Sequence, residues 1–303
     1  MKYLILGAGG TGGAIGGFLA ASGKDVDFVA RGAHLQAMKE YGLKVHSDRR
    51  GELFLPQVRA DTMEDYSGDP DVIFLCVKGY SVGEAITFLK GKAKKGTLVI
   101  PILNIYGTGE KLSIELPDLL IPDGCMYIVS YVSAPGEISQ RGKIFRVVYG
   151  MPDGSCPEIL HAVARDLEDS GIDTVVSAHI QRDCFQKFSC VSAMASAGAY
   201  FDTDMGTIRS HPEMRQMYRD LSDEICSLAD AMGIPFQSDV TEENLDILDH
   251  LTPDTTASMQ KDLKKGGQTE MDGLIFEVVR LGKKFNVPVP QYTKIAKHFG
   301  FSL

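Results

Sequence analysis

The sequence predicts a doubly wound α/β domain with a mostly parallel sheet over residues 1–177, followed by an all-α domain over residues 178–303. Three observations predict it. The chain opens on MKYLILGAGGTGGAIGG, an apolar strand running into a glycine turn and then a small-residue helix. Near-continuous apolar runs at 71–77 (DVIFLCV) and 97–102 read as strands buried on both faces, with a helical stretch between them. Beyond residue 178 the strand signals stop, and apolar residues recur at three- and four-residue spacing.

Taken in order, residues 3–6 form the first strand, Gly7-Ala8-Gly9-Gly10-Thr11-Gly12 the turn, and 14–21 the first helix. That order is the one a Rossmann-type dinucleotide-binding unit requires. Gly7 permits the tight turn off the strand, Gly9 lets the backbone approach a pyrophosphate, and Gly12 lets helix and strand pack closely. The helix start offers N–H groups and partial positive charge to the phosphates. Residues 26–30 read as the second strand, ending at Arg31-Gly32, and 43–46 and 53–55 as short strands around a turn. A helix is expected from about residue 81 to 90. Segments 126–132, 136–139 and 143–149 read as antiparallel additions at the edge of the sheet. A helix at 157–170 and a strand at 172–176 close the domain. Helical patterns then recur at 179–200, 212–232, 242–248, 257–263, 270–285 and 292–299.

With 44% hydrophobic and 23% charged residues in 303, the chain has apolar material for two cores. A net charge of −9 argues against nucleic acid and anionic membranes as partners. No apolar run approaches the ~20 residues of a membrane span, and the N-terminal run lacks a signal-peptide pattern, so a cytoplasmic protein is expected. The six cysteines are scattered without a CxxC pair, which suits reduced, mostly buried thiols. The seven histidines show no metal-ligand spacing, and no metal is expected.

In the NAD version of this fold an acidic residue receives the ribose 2′-hydroxyl at the end of the second strand. Here Arg31 occupies that place, while Asp25 and Asp27 come too early. A guanidinium suits a 2′-phosphate, which it binds through parallel hydrogen bonds, and NADP(H) is the expected cofactor. Lys78 and Asn104 each follow a buried strand, at the carboxyl ends where open α/β sheets bind ligands.

From these residues onward the chain resembles the ketopantoate reductase (2-dehydropantoate 2-reductase) family over essentially its whole length. The resemblance rests on the glycine fingerprint, Arg31, Val77-Lys78, and Asn104-Ile105-Tyr106-Gly107-Thr108 followed by Glu110 and Leu112. Its most specific part is Ala257-Ser258-Met259-Gln260-Lys261-Asp262, Gln268-Thr269-Glu270-Met271-Asp272 and Val287-Pro288-Val289-Pro290. The resemblance implies NADPH-dependent reduction of a 2-oxo acid, 2-dehydropantoate to pantoate, on the way to coenzyme A. It implies that Lys187 is the catalytic lysine and that Glu270 lies near it and the nicotinamide. It also implies that Ser258 binds the substrate carboxylate, and that Gly7 to Gly12, Arg31, Lys78 and Asn104 contact cofactor, the last two reaching towards substrate. An ammonium aimed at the carbonyl oxygen stabilises growing negative charge and donates the proton.

At three substrate-facing positions the chain departs from the family. Where well-studied members carry asparagines, this sequence has Val191, Ala195 and Thr255. Positions i, i+4 and i+8 share one helix face, so the wall beside Lys187 is apolar. A pocket without those amides loses discrimination for a substrate hydroxyl. Two alternatives therefore stay open: the same machinery on a different ketone or oxo acid, and a non-catalytic NADP(H)-sensing regulator. The partner is a small 2-oxo acid, and a homodimer is the candidate assembly.

Overall fold

A computed structural model of the chain describes residues 1–301. Two compact units make it up: Met1–Leu103 with Gly107–Ile180, and Asn104–Tyr106 with the chain from Gln181 onward.

The first unit begins with β1 (Lys2–Leu6), α1 (Gly10–Ala21), β2 (Asp25–Val29) and α2 (Gly32–Tyr41). Next come β3 (Leu43–Ser47), β4 (Gly51–Leu55), β5 (Arg59–Asp61), β6 (Val72–Leu75), α3 (Val82–Lys92) and β7 (Leu98–Pro101). It closes with α4 (Thr108–Glu115), β8 (Asp123–Ala134), β9 (Glu137–Gly150), α5 (Glu158–Asp169) and β10 (Asp173–Val176). One sheet runs β5-β2-β1-β6-β7, every neighbouring pair parallel. Its central strands are apolar on both faces, since Tyr3 to Leu6 and Val72 to Leu75 are buried throughout.

The segments expected as antiparallel additions to this sheet do something else. β8 and β9 pair antiparallel in a second sheet, ordered β10-β9-β3-β4 with β8 on β9. The reason lies in α1, which is buried from Gly12 to Leu19. A Cβ on Gly16 would strike Phe28 and Ile5 of the parallel sheet. A Cβ on Gly13 or Gly17 would strike Ile138 or Val45 of the second sheet. Glycines on two faces let one helix lie close to both sheets. Each costs about 1 kcal/mol of helix propensity against alanine, which burial on both sides offsets.

The second unit takes α6 (Ile180–Phe201) from its second residue on, then α7 (Met205–Ser210), α8 (Pro212–Ala231), α9 (Val240–His250), α10 (Ser258–Lys264), α11 (Glu277–Phe285) and α12 (Pro290–His298). Its core gathers Phe185, Phe188, Tyr218, Leu221, Ile225, Leu274, Val278 and Tyr292. Several buried polar groups are paired across helices. Ser192 donates to the Leu274 carbonyl at 2.6 Å and shares a 2.6 Å bond with the Tyr292 hydroxyl. Glu224 of α8 accepts from the Gln291 and Tyr292 amides at 2.7 and 3.1 Å, capping α12 from a distance in sequence. The stretch 270–285, expected as one helix, opens instead with a π-helical turn, Asp272–Phe276. Gly273 in that turn packs directly on Ile105, and Tyr106 meets Phe185 and Phe188 at ring distances of 4.7 and 6.1 Å. These contacts bind the three-residue segment Asn104–Tyr106 to the helical unit. Among the described residues no helix is long and apolar enough to cross a membrane.

Candidate active site

The glycine turn sits at the carboxyl end of β1. Gly7 has φ +104°, which glycine alone adopts without strain, and its Cα approaches the Cys76-Val77 backbone too closely for a Cβ. The amides of Gly7 and Ala8 both donate to the Val29 carbonyl, at 3.1 and 2.9 Å, which fastens the turn to the end of β2. Gly12 stands where any Cβ would meet the Gly7 carbonyl, Ile5 and Cys76. Gly9 differs from both: a Cβ there would meet nothing within 4 Å. Gly9 is also the N-cap of α1, no side chain caps that helix, and no acid lies in its first turn. Open space beside an uncapped, uncharged helix start fits a pyrophosphate. Gly10 packs against the Ser130 and Tyr131 backbone of β8, and Thr11 follows it in the first helical turn.

Arg31 lies two residues beyond β2, exposed, as the extended N-cap of α2. Asp27 is unavailable to a ribose because Lys2, Arg59 and Tyr66 occupy it, at 3.0, 2.5 and 3.0 Å. Asp25 is paired with Arg59 as well. Lys78 is half-buried three residues beyond β6, next to the Cys76-Val77 backbone on which Gly7 packs.

In the helical unit, Lys187 of α6 is half-buried, and its ammonium donates to the Asn104 side-chain oxygen. Two residues far apart in sequence thus meet because Ile105 and Tyr106 anchor the segment that carries Asn104. Val191, one turn beyond the lysine, is partly buried, while Ala195 is 1% exposed within the core. Glu270 is 5% exposed and lies two residues before the π-helical turn, a helix irregularity that recurs at functional sites. Thr255 and Ser258 lie on a different segment. The Thr255 hydroxyl bonds to Thr252 at 2.9 Å and its carbonyl accepts from Met205, while Ser258 opens α10 on the surface. Cys190 is held above its ordinary thiol pKa by burial, which fits packing rather than reactivity. Ile105 and Tyr106 stand in the sequence only as part of the Asn104-to-Thr108 motif, with no role of their own, and the one signal for Gly273 is a glycine inside a helical run.

A parallel sheet opened by such a turn is the architecture of dinucleotide-dependent oxidoreductases. The chain belongs to the ketopantoate reductase family. Residues 3–154 match Ketopantoate reductase PanE/ApbA, and residues 179–300 match Ketopantoate reductase PanE/ApbA C terminal. It is 28% identical to "Uncharacterized oxidoreductase YkpB" of Bacillus subtilis, over 96% of this chain and 95% of that protein. It is 30% identical to a 2-dehydropantoate 2-reductase of Pyrococcus abyssi, over 96% and 94%. The ternary structure of D-mandelate dehydrogenase with NADH and anilino(oxo)acetate shares the fold, with a TM-score of 0.88 at 23% identity, over 98% of this chain and 96% of that one. The protein is an oxidoreductase of the CH–OH class that uses a nicotinamide dinucleotide.

Proposed function

We propose that this protein reduces a 2-oxo acid to the 2-hydroxy acid with NADPH, with 2-dehydropantoate as the first substrate to test. The observation that carries the reading is the Lys187–Asn104 hydrogen bond, which holds an ammonium in one place on a half-buried helix face. In the proposal Gly7, Ala8, Gly9, Gly10, Thr11 and Gly12 hold the pyrophosphate, and Arg31 takes the 2′-phosphate. When bound, the dinucleotide supplies a hydride to the carbonyl carbon. Lys187 stabilises the charge that grows on the carbonyl oxygen and gives that oxygen its proton. Asn104 aims the ammonium. The buried carboxyl of Glu270, in this reading, favours the protonated form of the lysine by its charge. Lys78 contributes positive charge towards cofactor and substrate, and Ser258 and Thr255 supply hydroxyls for the substrate's carboxylate end.

A second reading is favoured by Val191 and Ala195. Apolar side chains one and two turns beyond Lys187 offer no hydrogen bond to a substrate hydroxyl, so the same chemistry would serve an oxo acid with a more apolar side chain. The test is NADPH oxidation followed against 2-dehydropantoate and a series of 2-oxo acids with aliphatic and aromatic side chains. Turnover highest with 2-dehydropantoate supports the first reading, and turnover highest with an apolar oxo acid supports the second. Tight NADPH binding with no turnover on any of them would overturn both in favour of a cofactor sensor.

A further inference from the structure

His34, on the first turn of α2, faces the glycine turn. Its Nε2 lies 2.9 Å from the Ala8 carbonyl oxygen, and its Nδ1 accepts from the Gly136 amide at 3.0 Å. The partners fix the protons. A backbone N–H only donates and a carbonyl only accepts, so Nδ1 is bare and Nε2 carries the hydrogen. Burial holds the imidazole below its ordinary pKa, opposed by the bond to Ala8, which agrees with a neutral ring.

The bond to Ala8 has a directional consequence. A trans peptide is planar, with C=O and N–H pointing to opposite sides. Pulling the Ala8 carbonyl towards His34 therefore turns the Gly9 N–H the other way, away from the ring, at a residue where a Cβ would meet nothing within 4 Å. That N–H makes no hydrogen bond to any described residue. The Ala8 amide is held as well, by the Val29 carbonyl, so both ends of this residue are pinned. Three residues before His34, at the start of the same helix, stands Arg31. The other partner, Gly136, lies in the β8–β9 turn with φ +76° and packs on Ala37 of α2.

We infer that His34 is a positioning residue for the dinucleotide: through the Ala8 carbonyl it sets the direction of the Gly9 amide and ties that amide to the helix carrying Arg31. The inference rests on the proposed dinucleotide site at the glycine turn. The two ring nitrogens can be tested separately. His34→Gln puts an amide nitrogen near the place of Nε2 and keeps a donor for Ala8. His34→Asn keeps an acceptor near the place of Nδ1 for Gly136 but is too short for Ala8.

The experiment measures NADPH dissociation constants by cofactor fluorescence, kcat at saturating NADPH, and amide hydrogen exchange across residues 7–12 without cofactor. Losing one buried hydrogen bond is worth up to about tenfold in affinity. His34→Asn is expected to weaken NADPH by about that factor, with a much smaller change in kcat and faster exchange at the turn. His34→Gln is expected to restore affinity to within about threefold of the parent. Equal behaviour of the two variants, or parent-like affinity and exchange in His34→Asn, would overturn the inference while leaving the cofactor site intact. Failure of the parent protein to bind NADPH at all would overturn the cofactor reading itself, and this inference with it.

Discussion

At the scale of single residues, charge and reach decide function. Arg31 is exposed and extended at the end of β2, where a 2′-phosphate would distinguish the two nicotinamide dinucleotides. Arg31→Ala is expected to weaken NADPH about 10- to 100-fold and NADH little, measured as paired dissociation constants; equal losses would remove the 2′-phosphate role. Lys187→Ala is expected to lower kcat by about 10²- to 10⁴-fold while NADPH still binds, the range for loss of a general acid. Near-normal turnover in that variant would refute the proton-donor assignment. Arg31 and Lys187 both stand out in the sequence, the first by its place after a strand and the second through family resemblance. Their partners do not. Nothing in the spacing of Asn104 and Lys187 says that one donates to the other, because the contact depends on Ile105 seating against Gly273.

Among elements, α1 separates glycines that serve the fold from the one that serves a ligand. Gly12 and Gly9 look alike in a motif, yet a Cβ on Gly12 collides with Gly7, Ile5 and Cys76 while a Cβ on Gly9 meets nothing. Gly12→Ala is expected to cost about 1–3 kcal/mol of stability by overpacking, read by denaturant unfolding. Gly9→Ala is expected to leave the unfolding midpoint near that of the parent and to weaken NADPH, because its methyl enters the space offered to the pyrophosphate. Loss of stability in Gly9→Ala with full cofactor affinity would reverse the assignment. The extra glycines at 13, 16 and 17 carry a further signal. A helix with small residues on two faces needs two close neighbours, and the second neighbour is the β3–β9 sheet.

For the whole molecule, the buried carboxyl of Glu224 links stability to pH. Burial pushes its pKa up from 4.5 to about 7, against two backbone amides that favour the charged form. With the folded value raised, the native chain keeps a proton that the unfolded chain has released between those pH values. The stability from this group is therefore fully present below pH 4.5 and is lost as pH rises through about 7. Glu224→Gln cannot ionise, so the variant should gain on the parent from pH 5 to pH 8 by on the order of 2 kcal/mol. Unfolding curves at both pH values check this, and parallel shifts in parent and variant would refute it.

Local patterns were enough to give the parallel sheet, the helical second half and the glycine turn. Each rests on residues within one element or its immediate neighbours: an apolar run at 71–77, three- and four-residue spacing after residue 178, and glycines where a turn must tighten. Tertiary structure alone decided that β8 and β9 build a second sheet and that Asn104 meets Lys187. It alone decided that the π-helical turn receives Ile105 and that His34 braces Ala8. All four depend on pairing between segments distant along the chain. Alternation marks a strand without naming its partner, and a hydrogen bond across many residues leaves no periodicity to read.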